Sequence, residues 1–161
     1  MKIIKYNKTI SIFISIILSL IYFLYNSRTL TIIPCDQEFS SKFLSNFIHT
    51  NSIHLISNLM GLYFISELEN QIGSSNFLKL VILISLIMSF FETIFKSGCS
   101  IGFSGILYGL VAYEMFKFKN IDYNVIYTLI LLFLFSGNSK ISHTGHLLGF
   151  ISGLISTCLL W

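Results

Sequence analysis

The chain is 161 residues long, 54% hydrophobic and only 11% charged. Soluble domains carry about 25% charged residues, so this composition excludes an ordinary soluble core and predicts an all-α membrane protein. The net charge of +3 has no lysine cluster beyond the first eight residues, which leaves no footprint for a nucleic acid.

In chain order, six apolar segments are expected as transmembrane helices, at about 9–25, 52–68, 77–95, 103–116, 123–136 and 144–161. They run along the whole length and predict one domain over 1–161, a compact six-helix bundle. The first follows Lys2, Lys5 and Lys8 and has the outline of a signal peptide. It approaches spanning length, however, and Asn26-Ser27-Arg28 offers no small-x-small cleavage site, so it is read as a retained helix. In the connection at 26–51, Phe39, Phe43 and Phe47 recur every four residues with Leu44 and Ile48 beside them, drawing one apolar helical face. That face suggests a loop at the membrane interface or partly inserted; the alternative is a short helix packed on its own bundle. The fourth and fifth segments fall short of the roughly 20 residues a lipid-exposed helix needs, which suits shielded helices in a locally thinned bilayer.

The three N-terminal lysines assign the N-terminus to the cytoplasm. Lys79, Lys117 and Lys119 then fall inside, and Arg28, Lys42, Lys96 and Lys140 outside. Glu69, Glu92 and Glu114 lie near segment ends and read as interfacial charges. Cys35, Cys99 and Cys158 form no metal spacing. A bond between Cys35 and Cys99 is open on the outer side, but all three are read as unpaired thiols.

The chemistry gathers at the segment ends. Ser104 stands between Gly102 and Gly105, and the last segment opens with His143-Thr144-Gly145-His146. All four histidines fall in two groups, His49 with His54 and His143 with His146. Intramembrane histidines usually face a bundle interior and mark function. The second, fourth and sixth segments run in the same direction, so His54, Ser104 and His146 enter at the same outer end. Gly105 and Gly109, then Gly149 and Gly153, lie four apart and form small-residue stripes that let two helices approach closely. Ser104 and His146 then lie within a turn of each other in height, where an imidazole can activate a hydroxyl. His54 and Asn58 share one helix face and, with the Ser104 backbone N–H, make a candidate oxyanion hole. No Asp lies in an apolar segment, since Asp36 and Asp122 are in loops. The expected machinery is therefore a Ser–His dyad, with Tyr108 one turn below Ser104 to stack on the imidazole. His49 reads as a structural hydrogen-bonding residue, and His143 as a loop-end residue.

These residues match a family pattern. Gly102-Phe103-Ser104-Gly105 resembles the Gly-x-Ser-Gly nucleophile motif of the rhomboid intramembrane serine proteases, and Tyr108 falls where their stacking tyrosine stands. His146-Leu147-Leu148-Gly149-Phe150-Ile151-Ser152-Gly153 is similar to their His-x-x-Gly-x-x-x-Gly motif. His49, His54 and Asn58 fit their His-x4-His-x3-Asn pattern, and Glu69 followed by Gly73 is similar to the end of that helix. The resemblance, to the minimal six-helix form, implies a serine endopeptidase that cleaves transmembrane segments near the outer boundary and needs no metal or other cofactor. Its partners would be transmembrane protein substrates and the lipid bilayer, with access past the fifth helix and first loop. The family's Trp-Arg pair in the first loop is absent, since the only Trp is Trp161 and the only Arg is Arg28. Ser66 and Gly145 also stand where a glycine and an alanine are usual.

Three other readings stay open: an inactive rhomboid-like protein that binds transmembrane helices, a metal site built from the four histidines, and a small channel. The metal reading has no His-Glu-x-x-His. With no transit-type leader, the expected location is a bacterial cytoplasmic membrane. Substrate identity and oligomeric state are open.

Overall fold

Apolar runs with a single proline in the chain, Pro34, have little to interrupt helical hydrogen bonding. A computed structural model describes residues 8–31, 33–34, 36–95, 100–119, 121–134 and 143–160, with backbone alone at 131, 133 and 134. Among the described residues there are eight helices and no strand: α1 (Thr9–Asn26), α2 (Phe39–Ser45), α3 (Ser52–Ile65), α4 (Glu67–Ile72), α5 (Ser74–Ile94), α6 (Ser104–Phe118), α7 (Tyr123–Leu134) and α8 (His143–Leu159). Lys2, Lys5, Lys96, Lys140 and the Cys35–Cys99 pairing lie outside the described residues. Cys158 is a free, exposed thiol.

The second expected segment is longer than its apolar run and is broken in two. Ser66 separates α3 from α4; its hydroxyl donates to the Tyr63 carbonyl at 2.6 Å, a local bond that competes with straight helix. Gly73, at φ +82°, ends α4 and starts α5 three residues earlier than hydropathy suggests. The Glu69 carboxylate closes this corner. It accepts from the Ile10 and Ser11 backbone N–H groups, both at 2.9 Å, and from the Ser11 and Ser74 hydroxyls, both at 2.6 Å. Glu69, Glu92 and Glu114 are all buried, which corrects their reading as interfacial charges. A buried carboxylate needs donors, and each has one; Glu114 accepts from Gln71 at 3.2 Å and Glu92 from Ser100.

Two helices, α1 and α5, are long and apolar enough to cross a membrane by length and composition. The others are shorter: α3 has 14 residues, α6 15, α7 12 and α8 17. At 1.5 Å per residue, α6 is about 22 Å long. It is the most enclosed element, buried from Ser104 to Leu107 and from Gly109 to Glu114, and it packs chiefly on α8. A helix sheathed in protein has no need to match a bilayer.

Polarity is inverted relative to a water-soluble fold. α1 exposes Phe13, Ile16 and Phe23, and α5 exposes Ile82, Phe90 and Ile94, whereas Ser85, Ser89 and Glu92 are buried. The same inversion appears in α2. This short helix turns Lys42 and Ser45 inward onto α5, followed by Asn46, whose amide donates to Ser89 Oγ at 3.2 Å. Phe39 and Leu44 face outward, so α2 itself packs on the bundle through its polar side, while Phe47 and Ile48 beyond it turn onto the core.

Candidate active site

The turn into α6 is where the sequence motif becomes geometry. Gly102 adopts φ +103°, a region that L side chains rarely enter, and its missing Cβ leaves space for the His54 ring packed against it. Its N–H donates to the Ser45 carbonyl at 3.0 Å, which ties the turn to the end of α2. Ser104 is then the first residue of α6, at a helix terminus whose initial N–H groups have no intrahelical acceptor. That terminus favours negative charge.

α8 meets α6 at backbone contact. A Cβ on Gly149 would strike the Gly105 carbonyl and one on Gly153 the Gly109 carbonyl, so both positions require the absence of a side chain. On the other side, Gly105 leaves room for the end of Met88 from α5. This approach brings Ser104 Oγ to 3.0 Å from His146 Nε2, a hydrogen-bonding distance. Tyr108 stacks on the His146 ring, with centroids 4.5 Å apart and planes at 29°. Ser104 is 9% exposed and His146 half-buried, so the pair lies at the edge of the core and open on one side.

The remaining expected residues lie on and before α3. Asn51 caps that helix, its side chain accepting from the His54 N–H at 2.8 Å. His54 is half-buried and edge-on to His49, with centroids 5.0 Å apart. His49 is fully buried and bonds more widely than its structural assignment suggests. Its Nε2 accepts from the Phe103 N–H at 3.4 Å, which makes that nitrogen an acceptor; the Asn58 amide therefore donates to it, at 2.9 Å. Burial and the neighbouring His54 hold the His49 imidazole down to about 3 from 6.5, against a weaker opposing effect of the Phe47 carbonyl. It is a neutral linker between Asn58 and the residue before Ser104. Asn58 thus has one amide hydrogen engaged with His49, not both free for an oxyanion.

His143 is exposed at the start of α8, one turn before His146. Among the described residues, no group of three or more His, Cys, Asp or Glu is arranged to hold a metal ion. The contribution of Ser45 to the site escapes sequence reasoning, because it acts through a backbone carbonyl that any residue would supply.

A Rhomboid domain model matches residues 36–161. A protein of Acanthamoeba polyphaga mimivirus named as a rhomboid protein is 31% identical over 134 residues, covering 77% of each chain. The mitochondrial rhomboid-like protein 14 of Arabidopsis thaliana is 29% identical over 146 residues, covering 74% of this chain but 42% of its own length. These relatives are viral and plant proteins and lend no support to a bacterial location. From the domain match and the mimivirus relative together, the chain belongs to the rhomboid family.

Proposed function

We propose that the protein is an intramembrane serine endopeptidase, folded as six membrane segments over 1–161, with α3 and α4 forming the second. The single observation that carries this reading is the 3.0 Å contact between Ser104 Oγ and His146 Nε2 at the glycine-packed meeting of α6 and α8. The inverted polarity supports the membrane setting.

Ser104 Oγ attacks a peptide carbonyl carbon and its proton passes to His146 Nε2. The oxygen that becomes negative is met by the Ser104 N–H at the start of α6, by the free amide hydrogen of Asn58 and by His54. Collapse breaks the C–N bond, and the leaving amine takes the proton from His146. Water, deprotonated by the same imidazole, then adds to the acyl carbon; the bond to Ser104 Oγ breaks, and that oxygen takes the proton back from His146. Tyr108, stacked on the ring, does part of the orienting work that an aspartate does in soluble triads. No metal or organic cofactor enters these steps.

A transmembrane helix hides its own carbonyls in hydrogen bonds, so the scissile region must unwind before attack. Substrates with Gly, Ser or Pro near their outer boundary are therefore preferred, reached from the bilayer past α7 and α2, and the N-terminus of the enzyme lies inside. The test is cleavage in proteoliposomes of a single-span substrate with either Gly-Ser or Leu-Leu at that boundary. The Gly-Ser form is cut at least tenfold faster. Equal rates would remove the unwinding requirement, and cleavage surviving Ser104→Ala would remove the serine mechanism.

A further inference from the structure

The segment entering α6 is held from outside its own helix at a second point beyond Gly102. The Ser100 N–H donates to Glu92 Oε1 at 3.1 Å, and the Ser100 hydroxyl donates to the same oxygen. Glu92 sits in the last turn of α5 and is fully buried. From the other side, Lys42 on α2 is 2% exposed, and its ammonium donates to the Glu92 backbone carbonyl at 2.6 Å.

Lysine is almost never fully buried unless paired. Here the inward turn of α2 carries the ammonium to the main chain of Glu92, while the Glu92 carboxylate turns to Ser100 on the approach to Ser104. Removing the ammonium would leave the buried Glu92 carbonyl without this donor, and removing the carboxylate would leave the Ser100 N–H and hydroxyl without this acceptor. The described contacts fasten α2 and its C-terminal end through the polar face: Lys42 on the Glu92 carbonyl, Asn46 on Ser89, and the Ser45 carbonyl on Gly102.

We infer that Lys42, Glu92 and Ser100 form a brace that joins α2 to the segment entering α6 and holds Ser104 at the height of His146. These three are positioning residues: they touch neither substrate nor the reacting atoms, and they act through the turn at Gly102 and Phe103. The brace also couples the two sides of the site, because displacement of α2 by a docking substrate pulls on the segment that carries the nucleophile. The consequence for rate rests on the protease reading; the coupling itself does not.

The experiment measures two quantities on detergent-solubilised full-length protein. One is the rate of labelling by a fluorophosphonate, and the other is amide hydrogen exchange across Ser100–Ser104. Ser100→Ala keeps both charges, Glu92→Gln keeps a hydrogen-bond acceptor but no charge, Lys42→Met keeps the stem alone, and Lys42→Arg keeps the cation. The first three speed exchange and slow labelling about tenfold or more, with kcat falling and KM little changed in substrate cleavage. Lys42→Arg stays near wild type, and Lys42→Met combined with Glu92→Gln is no worse than either alone. If Glu92→Gln does not fold, Ser100→Ala decides. Folded variants that label and exchange at the wild-type rate overturn the brace, as do variants whose exchange rises while labelling is unchanged. A wild type that never labels sinks the protease reading, and the exchange data then judge the brace alone.

Discussion

At the scale of single residues, the site depends on which nitrogen is free to accept. Ser104 needs an unprotonated His146 Nε2 at 3.0 Å, and Tyr108 keeps that ring from swinging away. Tyr108→Ala removes the stack, worth about 0.5–1.5 kcal/mol, and slows fluorophosphonate labelling by roughly tenfold at most. Tyr108→Phe keeps the ring and labels near the wild-type rate; an equal loss in both would mean that the hydroxyl, not the stack, matters. His49 predicts a pH effect. Its folded-state value of about 3 lies below the ordinary 6.5, so the unfolded chain binds the proton more readily at every pH between them. Stability conferred by neutral His49 is complete above about pH 6.5 and falls by at most about 1.4 kcal/mol per unit as pH drops toward 3. Thermal unfolding of His49→Gln against wild type checks this: the variant has the shallower decline from pH 7 to 4. Parallel curves would mean that His49 does not carry the dependence.

At the scale of elements, the pairing of α6 with α8 sets the distance between Ser104 and His146. Gly149 has the Gly105 carbonyl where a Cβ would lie, and backbone cannot step aside as a flexible side chain can. Gly149→Ala therefore drives the helices apart, and a displacement of about 1 Å costs on the order of a hundredfold in rate. Labelling kinetics together with the unfolding midpoint check this, and wild-type kinetics in the alanine variant would refute the close approach. Much of this pairing was legible in the sequence. Four-residue glycine spacing and the common direction of alternate segments set Ser104 and His146 at one height before any contact was known. The break at Ser66 was not legible, because a serine within an apolar run is compatible with straight helix until its hydroxyl turns back on the chain. Nor was the burial of Glu92, whose carboxylate partner Ser100 is eight residues on and whose backbone carbonyl takes the ammonium of Lys42 from fifty residues away. Periodicity sees an element's own faces, not what another element brings to them. The apolar periodicity over 39–48 is helical only as far as Ser45, and there α2 buries the opposite side; Ile48, beyond the helix, goes into the core.

At the scale of the whole molecule, the described helices turn large apolar side chains outward, their buried seams carry Ser, Asn, Lys and Glu, and the Ser104–His146 pair lies at the edge of the core. Such a body dissolves in a bilayer and can carry out hydrolysis only where water reaches that edge. Its membership of the rhomboid family agrees with this, and the remaining question is whether Ser104 is a working nucleophile or the relic of one. An inactive relative that binds transmembrane helices would keep the fold, the inverted polarity and the glycine packing without the chemistry. Intact-mass analysis after fluorophosphonate treatment separates the two most directly, since the serine oxygen displaces fluoride and retains the phosphonyl group. A working nucleophile gives one adduct per chain on Ser104, absent from both Ser104→Ala and His146→Ala while each variant stays folded. An unmodified wild type, or an adduct that persists in either variant, would contradict that role.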